Sequence, residues 1–487
     1  MGLQQSLNAK KKIKQFNLAY IGSYLSNNIL GKQNYYKHDA KLTYEVNAHQ
    51  LYLNNLFEEK HGSLESNVFT IAQNFQINQS ELGHILNWEE GFSQLFLRYR
   101  IDQQSNQGPL SLFSEAKEIG NKLNWESEIQ QLKLSSLYRM VDYPDSNFQE
   151  QYLNSKIAYQ RNFFDKQVQI GTELENSNGR EIERIFSYLE VNPGQGQYSW
   201  IDFNQDGLQN IDEFVVPALL DTANYIRVFT PSTNFIRVNK ASAKAFINLN
   251  PTYQSDQFLS HFRNRFSLSL SRRNRLNANE LFTAWSNTGQ AIGQQYLLFN
   301  QLSYNNLPSG LQVNYQHSQS KTAQLLAFDL EGTDQVSHLV QLNKSYSESS
   351  SIQFSQQFLN KENKSVFESR AFAIELIESE LRNRTEIGAK SSLDISLSYA
   401  TGREKQQGSE LVRKAASIAF QTSAEAFGNL ELQFSYVNND LEGASNNLAN
   451  FELLEGLNAN NNLLWSLLLN KEPVSYTHLT LPTIYSV

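Results

Sequence analysis

The sequence predicts an all-β protein: an antiparallel transmembrane β-barrel that is incomplete and carries an inserted calcium-type loop. Three observations support this fold class. Apolar and hydrophilic residues alternate along many segments, turn-rich stretches separate these segments, and no apolar run is long enough for a membrane-spanning helix. Alternation with a period of two is the pattern of a strand that has one apolar and one hydrophilic face.

The alternation is clearest in the C-terminal half of the chain. The segment SLDISLSYATG predicts a strand with two different faces. One face carries Leu393, Ile395, Leu397 and Tyr399, and the other carries Asp394, Ser396 and Ser398. The segments FRNRFSLSLSRR, SIQFSQQF and NLELQFSYV repeat this pattern. We expect about a dozen such strands between residues 262 and 470. Many are about ten residues long, which suits a tilted strand that crosses a bilayer.

The N-terminal half predicts strands of the same kind with less regular alternation. FNLAYIGSYL, KLTYEVNAHQLYL and FSQLFLRYRID each place aromatic or aliphatic residues at every second position. The segment SEAKEIGNKLNWESEI, residues 114–129, is instead compatible with a short helix.

Composition and charge exclude several classes of protein. The chain of 487 residues has no Cys, which excludes disulfides and cysteine-ligated metals. Its net charge is −8, and the lysine-rich run at residues 10–14 has no second basic stripe beside it. We therefore predict no nucleic-acid partner. The first residues lack the apolar core and cleavage site of a signal peptide, so either the protein is not exported or the chain begins inside a longer gene product.

The clearest break in the alternation is a loop insertion, which we place at residues 192–235. Within it, DFNQDGLQNIDE satisfies the pattern D-x-[DN]-x-[DN]-G-x5-E of a calcium loop. The pattern supplies the oxygen ligands that Ca²⁺ prefers. The predicted ligands are Asp202, Asn204, Asp206, Leu208 through its carbonyl, Asn210 and Glu213. We predict a structural Ca²⁺ ion there; the alternative is an Asx-rich turn that needs no ion.

No other motif indicates a reaction, and we predict that the protein is not an enzyme. The eight His residues form no metal-ligand spacing, and neither a nucleophile elbow nor a phosphate-binding loop is present. A cluster of arginines in one predicted strand suits a pore lining or an anion site, or else a solvated polar face. Its members are Arg263, Arg265, Arg272, Arg273 and Arg275.

Two parts of the chain carry a resemblance to a known family. GQYSWIDFNQDGLQNIDEF with DTANYIRVFTPSTNFIRVN, and NLANFELLEGLNANNNLLWSLLLNK, resemble segments of large, uncharacterised outer-membrane β-barrel surface proteins of the Bacteroidota. The second segment is also similar to the end of the type IX secretion translocon barrel. This resemblance implies a cell outer-membrane location, with membrane lipid and other surface or secretion proteins as partners. It implies no settled activity.

The last residues have a different character from the rest of the chain. VSYTHLTLPT, residues 474–483, matches the in-frame translation of a transposon-type sequencing adapter; the alternative is a natural Thr-rich tail. From the adapter match we expect that the natural chain continues differently and that segment 463–470 lies at an open seam. The predicted division is residues 1–191 as barrel strands or an associated β region, 192–235 as the loop insertion, 236–472 as C-terminal barrel strands, and 473–487 as the tail.

We therefore expect a fragment of an outer-membrane barrel with a structural, adhesive or transport-related role. The alternative is a soluble, secreted β-sandwich adhesin or binding module with the same calcium-stabilised loop. Apolar residues alternate identically in both, so the orientation of Phe266, Leu268 and Arg265 distinguishes them. A barrel turns its apolar face outwards, whereas a sandwich turns it inwards.

Overall fold

The computed structural model of the chain describes most of its residues. These are 2–27, 33–62, 74–105, 109–144, 148–202, 207–210, 213–215, 217, 223–252, 257–276, 284, 291–306, 310–326, 329–365, 370–406, 408–424, 428–443 and 448–470. The tail predicted to come from an adapter lies outside the described residues.

Twenty-one strands form one antiparallel sheet in which each strand pairs with its neighbours in chain order. The first ten are β1 (Gly2–Ile13), β2 (Phe16–Asn27), β3 (Gln33–Val46), β4 (His49–Gly62), β5 (Asn74–Trp88), β6 (Gly91–Ser105), β7 (Ser111–Glu126), β8 (Gln130–Tyr143), β9 (Phe148–Phe163) and β10 (Val168–Glu190). A separate two-stranded sheet follows, made of β11 (Ser199–Trp200) and β12 (Phe214–Val215).

The large sheet continues with eleven more strands. They are β13 (Tyr225–Leu249), β14 (Phe262–Arg275), β15 (Ala291–Asn306), β16 (Leu311–Leu326), β17 (Asp329–Ser347), β18 (Ser350–Lys364), β19 (Phe372–Ile387), β20 (Ser391–Glu404), β21 (Glu410–Ala424), β22 (Gly428–Glu442) and β23 (Asn460–Asn470). A 3-10 turn (Phe258–His261) precedes β14, and one helix, α1 (Leu448–Leu454), precedes β23. The predicted all-β, antiparallel class is confirmed, with ten strands from residue 262 onwards where we expected about a dozen.

The alternation in the sequence gives the sheet one apolar face. Cross-strand register places Leu53 opposite Leu82, Leu82 opposite Leu97, and Leu97 opposite Ile119. In the C-terminal half, Leu381 lies opposite Leu397 in the same way. These side chains are exposed, Leu397 to 57% and Leu82 to 56%. A sandwich would bury this face against a second sheet, whereas here no described element covers it.

The opposite face is hydrophilic and concave. One cavity on this face is lined by residues from seven consecutive strands, β10 and β13 to β18. In addition, Arg370, just before β19, donates a hydrogen bond to the hydroxyl of Tyr188 on β10. Six strands separate β10 from β19 in the sheet, about 34 Å along its surface at the usual strand spacing. The sheet must therefore curve strongly, with its apolar face convex.

The two ends of the strands differ. At the short-turn end the connections are tight, as at residues 14–15, 89–90 and 348–349. The segment KLTYEVNAHQLYL contains one such turn and is therefore a hairpin rather than a single strand. In this turn, between β3 and β4, Asn47 has a positive φ of 52°. At the loop end the connections are longer, and they include residues 191–224 and α1.

The predicted helix at residues 114–129 is wrong. Residues 114–126 lie in β7, which pairs with β6 and β8, and residues 127–129 form the turn to β8. Ala116 and Glu118 are buried on the concave face, while Ile119 is exposed on the convex face. Pairing with two neighbouring strands satisfies the backbone groups along most of this segment, which outweighs its moderate helix propensity.

The helix α1 packs on the concave face at the loop end and forms the main apolar cluster of the described residues. Ala449 and Leu453 contact Phe372, Ile374 and Leu411. The buried Arg413 holds the helix in place because it donates to the carbonyl of Leu453 at 2.6 Å and pairs with Glu455 at 2.8 Å. In the described part of the chain, no helix is long and apolar enough to span a membrane.

The two edge strands of the sheet remain unpaired on one side. Among the described residues, β1 pairs only with β2, and β23 pairs only with β22. As predicted for segment 463–470, β23 is an edge strand, and both of its faces carry exposed leucines. An unpaired edge with apolar side chains is a surface that favours association with another strand.

Glycines on the concave face receive aromatic rings from the neighbouring strand. Tyr52 lies directly opposite Gly83, as Phe96 does opposite Gly120. A Cβ added at Gly83 would lie 2.3 Å from Cζ of Tyr52, so the ring occupies the space that a side chain would fill. Tyr52 is only 3% exposed and also donates to Glu81 at 2.6 Å.

We predict that Gly83→Ala destabilises the protein by about 1–3 kcal/mol, because the ring of Tyr52 must leave its site. The measurement is urea-induced unfolding in detergent. Gly179→Ala is the matched control, since a Cβ there meets no atom within 4 Å, and it should leave stability unchanged or slightly raised. Equal effects of the two substitutions would contradict this account of the ring contact.

Candidate functional site

The hydrophilic concave face contains the candidate site. Near the loop end, a cavity of about 610 Å³ is lined by charged and amide side chains, among them Glu181, Lys240, Arg273, Glu331 and Asn363. We call it the loop-end cavity. Its lining comes from seven consecutive strands of the sheet, β10 and β13 to β18, so a solute in it would contact several strands at once.

A second cavity, of about 690 Å³, lies further towards the short-turn end on the same face. Its lining combines Lys244 and Arg265 with serines, including Ser267 and Ser318, and with the ring of Phe299. We call it the central cavity. Phe266 and Leu268 alternate with Arg265 along β14 and take part in the apolar convex face, opposite Ile247 and Leu298. This is the orientation expected of a barrel.

Cationic side chains run along the concave face of β13 and β14 from one end to the other. This basic stripe consists of Lys240, Lys244, Arg263, Arg265, Arg273 and Arg275. The sequence predicted four of its members in the arginine cluster. The fifth arginine of that cluster, Arg272, is one residue out of phase and therefore points to the convex face, where its Nε donates to Asn274 at 3.0 Å.

Only part of the charge of the basic stripe is compensated. Lys244 pairs with Glu173 at 3.1 Å and Arg273 with Glu181 at 3.4 Å. Within the described residues, no ion pair reaches Lys240, Arg263 or Arg265. The neighbouring concave residues of β15 and β16 are mainly neutral donors such as glutamine and serine. Such a surface attracts anions.

The opposite side of the concave face has a different electrostatic character. Arg98 bridges Glu81 at 2.6 Å and Glu118 at 2.8 Å, and Arg139 approaches Glu118 at 3.3 Å. Acidic and basic groups alternate across four strands, β5 to β8, so their charges cancel locally. The wall formed by β13 and β14 is where cationic side chains without an ion pair among the described residues follow one another along two adjacent strands.

The described part of the loop between β10 and β13 is anchored at the loop end of the sheet. Phe214 is buried and stacks on Tyr188 with ring centroids 3.9 Å apart, and it contacts Tyr225 edge-on. Arg370 reaches this cluster from the connection before β19 and pairs with Glu331 at 2.9 Å. Sequence reasoning could not identify Arg370, because it lies far from the loop along the chain.

The predicted calcium loop lies within this anchored segment. The pairing of β11 with β12 joins its two ends. The backbone N–H of Gly207 donates to Oδ2 of Asp202 at 2.9 Å, and Gly207 has the positive φ of 73° that a sharp turn needs. Leu208 is exposed. Asn204 and Asp206, two of the predicted ligands, lie outside the described residues.

Glu213, the last predicted ligand, has a buried carboxylate. It accepts hydrogen bonds from the indole N–H of Trp200 at 2.9 Å and from the backbone N–H of Asn210 at 3.1 Å. Both donors are neutral, and a buried carboxylate is costly unless a cation is near. The oxygens of Asp202 and Glu213 suit Ca²⁺. No group of three or more acidic or His side chains positioned for a metal occurs among the described residues.

Comparison with known proteins finds similarity only at the level of solved structures. No family model matches the chain, and no curated protein does. The copper transporter OprC is 9% identical over 89% of this chain and 72% of its own, with a TM-score of 0.33. The ferric-catecholate import receptor Fiu of E. coli K12 is 8% identical over 90% and 75%, with a TM-score of 0.34. OmpT of Vibrio cholerae is 7% identical over 84% and 88%, with a TM-score of 0.27.

We predict that the wild-type protein binds Ca²⁺ with a Kd between about 10⁻⁷ and 10⁻³ M, the range of sensor and extracellular sites. Calorimetry measures it directly. Asp202→Ala should weaken binding at least tenfold because it removes the first ligand, whereas Glu128→Ala, in an exposed short turn, should not. A wild-type protein that gives no heat with Ca²⁺ would establish the ion-free Asx turn instead.

Proposed function

We propose that the protein is an outer-membrane β-barrel whose polar interior conducts small anionic solutes. The observation that carries the location is the exposed apolar belt on the convex face. Monomeric soluble proteins rarely expose apolar patches beyond a few hundred Å². Here large apolar side chains are exposed on most strands of the sheet.

The dimensions of the strands support a membrane location. About 9–11 residues suffice for a tilted strand to cross the hydrocarbon core, and the strands of the large sheet have 11–25 residues. Along β20, the apolar residues from Leu393 to Tyr399 span about 20 Å at the usual rise per residue. This approaches the apolar band of about 25 Å that membrane barrels present to lipid.

The pairing of backbone hydrogen-bonding groups between strands also favours lipid, rather than a partner protein, as the environment of the apolar belt. Strands in hydrocarbon must satisfy every backbone group through their neighbours, and the paired registers from β16 to β21 do so along nearly all of each strand. The resemblance of residues 447–471 to barrels of the Bacteroidota points to the same location.

The basic stripe supports transport of anions rather than of cations. Fixed positive charges along a confined polar pathway raise the local concentration of anions. Arg265 in the central cavity and Arg273 in the loop-end cavity place these charges at two levels along the strands.

We predict that the protein, reconstituted in vesicles, floats with the lipid, migrates faster on a gel when unheated, and conducts with a preference for anions. Arg265→Gln with Arg273→Gln should lower the anion-to-cation permeability ratio severalfold, because it removes two charges from the pathway. The ratio is obtained from the reversal potential in a salt gradient.

The matched control is Lys117→Gln, which removes a positive charge from the convex face and should leave the ratio unchanged. A protein that stays soluble without detergent would contradict the membrane location. A protein that inserts but passes no current, or conducts equally with and without the two arginines, would contradict the transport role alone.

A further inference from the structure

The central cavity on the concave face combines three kinds of side chain in about 690 Å³: cations, aromatic rings and uncharged hydrogen-bonding groups. This volume lies in the range of about 300–1,000 Å³ that is usual for small-molecule sites. We propose that the cavity binds an acidic sugar, that is, a sugar that carries one carboxylate. The inference rests on the proposed anion pathway, and it names the class of solute that the pathway favours.

The carboxylate of such a solute would bind to Arg265. This side chain is exposed on the concave face, and no hydrogen bond or ion pair between the described residues uses it. Its cross-strand neighbours, Asn248 and Gln301, are neutral. Lys244, in contrast, already pairs with Glu173 at 3.1 Å. One guanidinium without a partner matches one carboxylate, which can accept two parallel hydrogen bonds from it.

The sugar ring would pack beside aromatic side chains. Ser267, the next concave residue of β14, lies directly opposite Phe246 on one side and Phe299 on the other. The Cα atoms of the two phenylalanines are therefore about 10 Å apart, at two strand spacings. The ring of Phe246 leans over Gly171, where an added Cβ would lie 2.3 Å from its Cε1. The small Ser267 thus forms a floor between two rings, whose electron-rich faces suit the C–H groups of a sugar.

Uncharged hydrogen-bonding groups complete the lining. They include the hydroxyls of Ser267, Ser269, Ser318 and Ser320 and the amide of Gln335. Within the described part of the chain, no hydrogen bond uses any of these side chains. Hydroxyl and amide groups can both donate and accept, as sugar hydroxyls do. A sugar can therefore replace the hydrogen bonds of water here, whereas an aliphatic or aromatic acid would displace that water without replacing them.

A single small molecule can contact all three kinds of group. Arg265 and Ser267 are consecutive concave residues of one strand, so their Cα atoms are about 7 Å apart. A sugar ring that lies over Ser267 can therefore direct its carboxylate towards Arg265. An inorganic anion would use the guanidinium alone, and a neutral sugar would leave it without a partner. The combination of groups favours the acidic sugar over both.

The test is calorimetry of the purified protein in detergent with glucuronate, glucose and acetate. Glucose has the ring and the hydroxyls without the charge, and acetate has the charge alone. Glucuronate should bind at least about tenfold more tightly than either, because only it gains both the charged and the neutral hydrogen bonds. Arg265→Gln should reduce its affinity to that of glucose. Since Arg265 is exposed and has no partner among the described residues, this substitution should not disturb folding.

Two further variants separate the contributions. Arg263→Gln is the matched control: it removes a similarly unpaired charge two residues away, outside the lining of the central cavity, and should preserve the preference for glucuronate. Phe299→Ser should weaken glucuronate and glucose by a similar factor and leave acetate unchanged, because it removes the packing surface of the sugar ring but not the cation.

Equal affinities for the three probes would overturn the proposal. A preference that survives Arg265→Gln, or that Arg263→Gln reduces equally, would also overturn it, because the general field of the pathway would then suffice. The anion-to-cation permeability ratio is measured on the same variants in vesicles. An anion-selective protein that does not distinguish the probes contradicts this site alone. A protein that binds glucuronate but passes no current contradicts the transport role alone.

Discussion

The whole structure depends on one constraint: each strand must satisfy its backbone hydrogen bonds through its two neighbours. Nineteen of the twenty-one strands in the continuous antiparallel sheet meet this constraint, and among the described residues the edge strands β1 and β23 pair on one side only. Once the ladder is fixed, consecutive side chains must point to opposite faces. The alternation in the sequence then separates an apolar convex face from a hydrophilic concave face, and the other features of the molecule follow from this separation.

Much of the fold could be predicted from this alternation, because the period of two is a local property of the sequence. The prediction that Leu393, Ile395, Leu397 and Tyr399 share a face with their neighbours is confirmed by the register of β20 with β19 and β21. The segment 114–129 was misassigned because its Glu, Ala and Lys residues favour a helix in isolation, whereas pairing with β6 and β8 decides its structure.

The candidate sites were less accessible to sequence reasoning, because they are assembled from distant strands. The arginine cluster of β14 was visible in the sequence, but the register of the strand was needed to assign Arg272 to the convex face and the other four arginines to the basic stripe. Lys240 and Lys244 belong to this stripe only through register. The Ca²⁺ loop, in contrast, is a local motif, and its occupancy stays a prediction.

The central claim is that the convex face contacts lipid and the concave face contacts water. Because the chain has no Cys, single cysteines can be introduced along β20 without background. Cysteines at 394, 396 and 398 should react with a charged, membrane-impermeant thiol reagent in reconstituted vesicles, while those at 393, 395 and 397 should react only with a lipid-soluble one. Reactivity that does not alternate between adjacent positions, or that alternates in the opposite phase, would contradict this account.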